Sequence, residues 1–451
     1  MKEKRRCSWM TIVVVIFTVV MLASFAYARK EPTAGKAEEK IVINIWWWGE
    51  EEKPGIKNWL DETIVSYEKA HPNIDIVPVL QTVDTVQSAF RTAAAAKDPD
   101  VGPDIQFFWP GIWLMIDVWN GYVEPVENVF PQSFLDKLNI SKEVKYDGKT
   151  WAIPWYTLNW PIVYNKKMFK AADLDPENPP TTADELILAC EKLKKAGYTP
   201  IGVGTKDGYF MNWWLNNFGF QGFDSLYDIM DLFANGDVDD PRVRSIFQPL
   251  YTLYTRGYFN KNATSLSIYE GNETFKAREV AMTICVFPDW IREMGDEEVG
   301  VMLPPVYGEG YLADKGVAVT SQTFGISSWS VHKKEAADFI MFMMSSERSK
   351  PMYEACHAIH ARKDFDPSVL ETQMERDMYG WIQRFPDNGS AENFFPEKVV
   401  YEGFNPAAQL IFSENYTVGQ CIEFLKNTVE EWRALSPEEV RNYSAWSNQY
   451  R

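Results

Sequence analysis

Residues Ile41 to Trp47 read IVINIWW, a near-continuous apolar run that fits a buried strand. Gly49 stops it, and an acidic turn follows at Glu50, Glu51 and Glu52. The spacing then predicts a helix from about Ile56 to Ala70. His71-Pro72 ends that helix, because the residue before a proline avoids the helical region. Ile74-Asp75-Ile76-Val77-Pro78-Val79 reads as a second strand. A strand, a helix and a strand in that order point to a parallel sheet, so the expected fold class is α/β.

One such sheet is too small for the chain. With 451 residues, two lobes are expected. A second unit is legible at Thr182-Ala183-Asp184-Glu185, a capping box in which Thr182 and Glu185 satisfy free backbone N–H groups. Leu186, Cys190 and Leu193 mark one face of the helix that follows, Gly197 closes it, and Ile201-Gly202-Val203 resumes as a strand. Beyond Phe247 the pattern is mostly helical. Val280–Val286 and Val299–Leu303 are strand candidates, and Glu335–Ser345 and Val418–Arg433 are helix candidates. No internal repeat is visible.

The N-terminus has the three parts of an export signal. Lys2, Lys4, Arg5 and Arg6 precede an apolar stretch from Met10 to Leu22, and Ala26-Tyr27-Ala28 fits a small-x-small cleavage site. The apolar run is short for a membrane span, so an uncleaved anchor is the lesser expectation. Cys7 lies before the apolar stretch rather than after it, which does not suit lipid anchoring. Cys190, Cys285, Cys356 and Cys421 are far apart and form no C-x-x-C pair; buried free thiols are expected. A net charge of −18 would repel nucleic acid and anionic lipid.

The 18 Trp and 21 Tyr exceed what a core alone suggests, and the stretch Tyr146 to Phe169, YDGKTWAIPWYTLNWPIVYNKKMF, concentrates them. Trp151, Trp155, Tyr156 and Trp160 surround Pro154 and Pro161. A run broken by prolines is not expected to continue as a regular helix or a central strand. It reads as a crossover that presents flat, amphipathic ring faces, the lining of a sugar cleft. Gly202, Gly204 and Gly208 match neither a phosphate loop nor a dinucleotide fingerprint. Cys356, His357 and His360 lack an evident fourth metal ligand, so a structural role is expected and no metal or cofactor is assigned. No G-x-S-x-G elbow occurs. Asp104, Asp289 and Glu50 each sit beside aromatics at a strand end, which suits hydrogen bonding to sugar hydroxyls better than acid–base chemistry.

In order along the chain, several segments resemble the family 1 extracellular solute-binding proteins of ABC importers, the maltose-binding-protein-like group. They are Tyr67-Glu68-Lys69-Ala70-His71-Pro72-Asn73-Ile74, Gly102-Pro103-Asp104-Ile105, Tyr146-Asp147-Gly148-Lys149 through Tyr164-Asn165-Lys166-Lys167, and Pro179-Pro180-Thr181-Thr182-Ala183-Asp184-Glu185-Leu186. Ala281-Met282-Thr283 with Pro288-Asp289-Trp290, Leu303-Pro304-Pro305 and Glu335 to Ile340 complete the series.

The resemblance implies a two-lobed periplasmic-binding-protein-like fold with a ligand cleft and three hinge crossings, near Pro154–Asn159, Met302–Val306 and Ile359–Lys363. Residues 1–28 are then a signal peptide and 29–40 a linker. Residues 41–155 with 306–358 form the N-terminal lobe, and 156–305 with 359–451 the C-terminal lobe. The implied function is non-enzymatic: binding of a sugar, an oligosaccharide by expectation, and its delivery to a membrane permease and ATPase by a periplasmic or extracellular monomer. A secreted glycoside hydrolase and a sugar sensor signalling to a membrane receptor are the alternatives. The positions similar to family ligand contacts are Trp48, Glu50, Phe108, Trp109, Trp155, Tyr156, Tyr209, Asn212, Trp213, Asp289, Trp290, Gln322, Thr323 and Tyr401. The family often has a Gly-Gly run near residues 321–324, where this chain has Ser321-Gln322-Thr323-Phe324. Trp155 is expected to face the ligand, and Trp151 and Trp160 to pack on either side of the crossing.

Overall fold

A computed structural model describes residues 40–97, 101–284, 288–310, 312–313 and 318–451, with only the backbone at 288–290. The expected signal peptide, all but the last linker residue, Cys285, and the side chains of Asp289 and Trp290 lie outside the described residues.

Strands β1 (Ile41–Trp47), β2 (Ile74–Leu80) and β3 (Ile105–Phe108) pair in parallel, with β1 between the other two. The expected helix spans Ile56–Ala70 and ends at His71, whose N–H bonds back to Tyr67 and Glu68. A short hairpin follows, β4 (Lys145–Tyr146) with β5 (Lys149–Thr150). Next come β6 (Ile153–Asn159), β7 (Ile162–Asn165), β8 (Thr199–Gly202), β9 (Val280–Ile284), β10 (Val299–Met302), β11 (Val319–Ile326) and β12 (Ile359–His360). They form two main sheets. The first has the order β12-β6-β11-β3-β1-β2, and the second β10-β7-β9-β8. The capping box at Thr182 and Glu185 opens the helix Ala183–Lys195 as expected. The late helices lie at Lys333–Met343 and Val418–Leu435.

Within the described residues the chain passes between the sheets three times. It leaves the first sheet after Asn159 and enters the second at Ile162. It returns between Met302 and Val319. After β12 it goes on to helices that pack against those of the second unit. Asn159 braces the first passage: its buried Nδ2 donates to the carbonyl of Met378, 2.9 Å away.

The stretch rich in Trp and Pro is not a break in structure. Residues 153–159 run as an interior strand of the first sheet, contrary to expectation. Pro154 is tolerated because β12 is only two residues long and pairs with Tyr156 and Thr157, so Pro154 lies past its end. On the other side, β11 pairs Ser321 with Thr157 but Thr323 with Pro154, so Trp155 and Tyr156 together oppose Gln322. This is a β-bulge in β6. In a regular strand successive side chains point to opposite faces. Here the rings of Trp155 and Tyr156 lie 5.0 Å apart, and both are fully buried.

Cys190 and Cys421 are buried free thiols, and Cys356 is buried too. His360 is a core residue. Its ring nitrogens meet Ser349 Oγ at 2.8 Å and Met344 Sδ at 3.1 Å, and burial pushes its pKa down to about 3, so it packs as a neutral imidazole.

Candidate ligand-binding site

Between the two sheets lies a cavity of about 150 Å³ walled mainly by aromatic rings. The first sheet's side supplies Trp48, Trp109 and Trp113 with Glu51, Glu52 and Gln322. Trp160 comes from the first passage between the sheets. The second side supplies Tyr209, Asn212, Trp213, Tyr269 and Tyr401, with Glu392 and Asn393.

Local structure explains each placement. Trp48 directly follows β1 and is held edge-on to Phe107 and tilted against Trp109, with centroids 5.8 and 5.2 Å away. Asn212 and Trp213 sit in the first turns of the helix Phe210–Phe218, and Tyr209 is its N-cap. Asp207 ties this helix start to the next one: its carboxylate accepts from the N–H of Tyr209 at 3.3 Å and of Ile268 at 2.9 Å. That second helix, Ile268–Lys276, carries Tyr269, whose ring meets Trp213 edge-on at 6.0 Å. Tyr401 lies in the π-helical turn Val399–Phe404 and stacks, tilted, 5.0 Å from Trp113 on the opposite side. Such turns are frequent at functional sites.

A buried polar network joins the sides behind the rings. Glu143 accepts from Thr320 Oγ1 at 2.6 Å, Ser141 Oγ at 3.2 Å, Asn393 Nδ2 at 2.7 Å and the Ser390 N–H at 2.8 Å. Asn393 Oδ1 in turn accepts from the indole of Trp113 at 3.1 Å. Gly111, at φ 73°, lets the helix Ile112–Trp119 approach this segment: a Cβ there would lie 2.2 Å from the carbonyl oxygen of Asn393. Gly111→Ala is therefore expected to cost about 2 kcal/mol or more, from left-handed strain plus a backbone clash, and to weaken ligand binding by displacing Asn393. Urea unfolding and a ligand titration on the same sample check this. Unchanged values for both would show that the two backbones part freely.

The acids are the other distinctive feature. Glu52 is 2% exposed, and Gln322 Nε2 donates to both its carboxylate oxygens at 2.7 and 3.1 Å. Burial outweighs those bonds and pushes its pKa up to about 8. Glu392 accepts from Asn216 Nδ2 at 3.1 Å. Withdrawal from water, helped by the neighbouring Glu143, pushes it up to about 7.

Seven expected contacts line the cavity: Trp48, Trp109, Tyr209, Asn212, Trp213, Gln322 and Tyr401. Five do not. Glu50 caps the helix Ile56–Ala70, accepting from the N–H groups of Gly55 and Lys57 at 2.9 and 2.8 Å. Phe108 is buried edge-on to Phe90, and Thr323 donates to the Phe108 carbonyl at 2.8 Å. Trp155 and Tyr156 are core residues, for the bulge described above. Asp104, proposed as a hydroxyl ligand, instead ties β1 to the loop after β11, accepting from the Asn44 N–H at 2.9 Å and Ser330 Oγ at 2.5 Å. Trp160 reverses its expected role and faces the cavity.

Glu51, Glu52, Val83, Trp113, Ile268, Tyr269, Glu392 and Asn393 also line it and were not expected. Trp113 had a signal only in its spacing of four from Trp109, which itself precedes the helix Ile112–Trp119. Which of the three glutamates faces inward depends on the shape of one turn, and nothing local marks Glu392.

The profile of bacterial extracellular solute-binding proteins matches residues 48–348, two thirds of the chain. The chain belongs to this family. An uncharacterised ABC transporter extracellular-binding protein of Pyrococcus horikoshii is 23% identical over 350 residues, 74% of each chain. The sn-glycerol-3-phosphate-binding periplasmic protein UgpB of Pectobacterium atrosepticum is 25% identical over 325 residues, 64% of this chain and 66% of that one. The match to UgpB of Agrobacterium fabrum spans only 38% of its length. Among solved structures, a chitin oligosaccharide binding protein superposes with a TM-score of 0.72 at 20% identity, over 88% of this chain and all of the other. The GacH receptor of Streptomyces glaucescens gives 0.66 at 17%, over 88% and 99%. These likenesses establish the α/β two-lobed fold of periplasmic binding proteins. The family consists of extracellular substrate-binding proteins rather than enzymes, which places this solute-binding protein outside the cytoplasmic membrane.

Proposed function

We propose that this solute-binding protein takes up an oligosaccharide in the cavity between its sheets and passes it to the permease of an ABC importer. The single observation that carries the reading is the ring of aromatic side chains contributed from both sides of one cavity. Indole and phenol faces cover the C–H faces of a pyranose and remove apolar area from water, at roughly 25 cal/mol per Å². Gln322, Asn212, Asn393 and the three glutamates supply hydrogen-bond partners for hydroxyls.

The acids also bear on the class of ligand. No lysine or arginine is among the described lining residues. A phosphate group there would meet Glu51, Glu52 and Glu392 with no cation to compensate, so glycerol phosphate, the ligand named for the UgpB relatives, fits poorly.

The proposed hinge is made of the three passages between the sheets described above. Ligand bound to both sides would favour closure, as in the hinge-closing binding proteins that are a standard example of such motion. Tryptophan fluorescence titrated with di- to tetrasaccharides is expected to respond. Trp213→Ala is expected to weaken the response at least tenfold with the fold retained. A folded, ligand-free preparation that answers to no saccharide in the panel would overturn the proposal.

A further inference from the structure

Buried carboxylates in this protein are handled in two ways. Away from the cavity three of them face guanidinium groups, Asp117 with Arg91 at 3.2 Å, Glu298 with Arg278 at 2.5 Å and Glu375 with Arg292 at 2.9 Å, while Asp104 is held by the Asn44 N–H and Ser330 Oγ. At the cavity they are held by neutral donors alone in their hydrogen bonding. Gln322 serves Glu52, Asn216 serves Glu392, and Glu143 behind them takes hydroxyl, amide and backbone donors. Two cations lie nearby, and both face elsewhere. Lys53 attracts Glu52 through space but lines a separate pocket with Thr157 and His357. Arg91, behind Trp113, is engaged by Asp117 and Glu397. Glu51, Glu52 and Glu392 thus line a cavity whose other walls are mostly Trp and Tyr rings, with Val83, Ile268 and the amides of Asn212, Gln322 and Asn393. Carboxylates beside indole and phenol rings, with no cation hydrogen-bonded to them among the described residues, are the chemistry that recognises an ammonium group.

We infer that the saccharide taken by this cavity carries a protonated amine, which sits between Glu52 and Glu392 and against the tryptophan faces. The inference rests on the saccharide reading above and narrows it. It also explains why the protein places acids where amides rather than guanidinium groups hold them: the ligand brings the directly bonded cation, and Glu52 and Glu392 ionise as it enters.

A matched pair of sugars tests this. Calorimetric titration at pH 7 would compare the glucosamine β-1,4 disaccharide with its fully N-acetylated form, which has the same skeleton and no charge. The free amine is expected to bind at least tenfold more tightly. In Glu52→Gln and Glu392→Gln, the ratio of the two affinities is expected to fall about tenfold, whatever hydroxyl contact both sugars lose alike. Thermal melts of both variants confirm folding. Equal or tighter binding of the N-acetylated or another neutral sugar would overturn the ammonium proposal and leave the saccharide reading standing. Binding of neither charged nor neutral sugars by the folded, ligand-free protein would overturn both.

Discussion

Trp155→Ala is expected to destabilise the protein by about 3–5 kcal/mol, the largest effect of any single tryptophan near the cavity. The ring is fully buried and touches Trp47, Trp59, Phe324 and Tyr156, with centroids between 4.7 and 6.1 Å away. Removing it leaves a void among aromatics fixed on four elements, the strands β1, β6 and β11 and the helix Ile56–Ala70, which cannot collapse together. Trp160→Ala should behave in the opposite way. It removes a cavity wall, so ligand affinity falls while most of the stability is kept. Trp151 is partly exposed and anchored by one bond to the Tyr146 carbonyl at 3.0 Å, so its replacement should cost less than that of Trp155. Urea unfolding of the three variants, alongside saccharide titrations, gives the comparison. A Trp155→Ala protein of near-native stability that had lost its ligand would place that ring in the cleft and contradict the structure.

The ligand-free protein is expected to lose a few kcal/mol of stability between pH 5 and pH 8.5, with Glu52 the main contributor. Its carboxyl holds a proton more tightly in the folded state, at about 8, than in the unfolded chain, at 4.5. The contribution is therefore complete below 4.5 and is lost as pH rises through 8. Glu392 and Asp117, each raised to about 7 chiefly by burial, act in the same direction. Glu298 opposes them in acid: its bonds to Arg278, Lys167 and Asn165 hold it at about 2, so its contribution is lost as pH falls toward that value. The stability maximum should thus lie near pH 5 rather than at neutrality. Glu52→Gln should flatten the alkaline limb and be the more stable protein at pH 8.5. Thermal melts across that range measure it. A wild-type melting temperature that stays level or rises from pH 5 to 8.5 would show that these acids are ionised and solvated in the folded protein.

The predictions also show where sequence patterns stop carrying information. The strand at Ile41, the helix to Ala70, the second strand and the capping box at Thr182 were legible because each is set by periodicity or by a cap within a few residues. The same holds for Trp48 and Trp109, which directly follow strands whose ends the pattern marks. Trp155 and Tyr156 were misplaced because their direction depends on a bulge, and that depends on how β11 pairs with β6 across more than 160 residues. Pro154 argued against a strand, yet the shortness of β12 removes the hydrogen bond that a proline could not make. Glu392 and Asn393 reach the cavity only because Glu143 and Gly111, over 240 residues earlier, hold and admit that segment.

What the sequence determined by itself was the α/β class, the family and the supply of aromatic and acidic groups, since local backbone preferences and apolar spacing act over a few residues. The tertiary structure decided which of those rings form the core and which face the ligand. It also decided that, among the described residues, Glu52 and Glu392 at the cavity would be hydrogen-bonded by amides rather than by cations. Both outcomes depend on contacts between distant segments, and on burial, which exists only once the two sheets have come together.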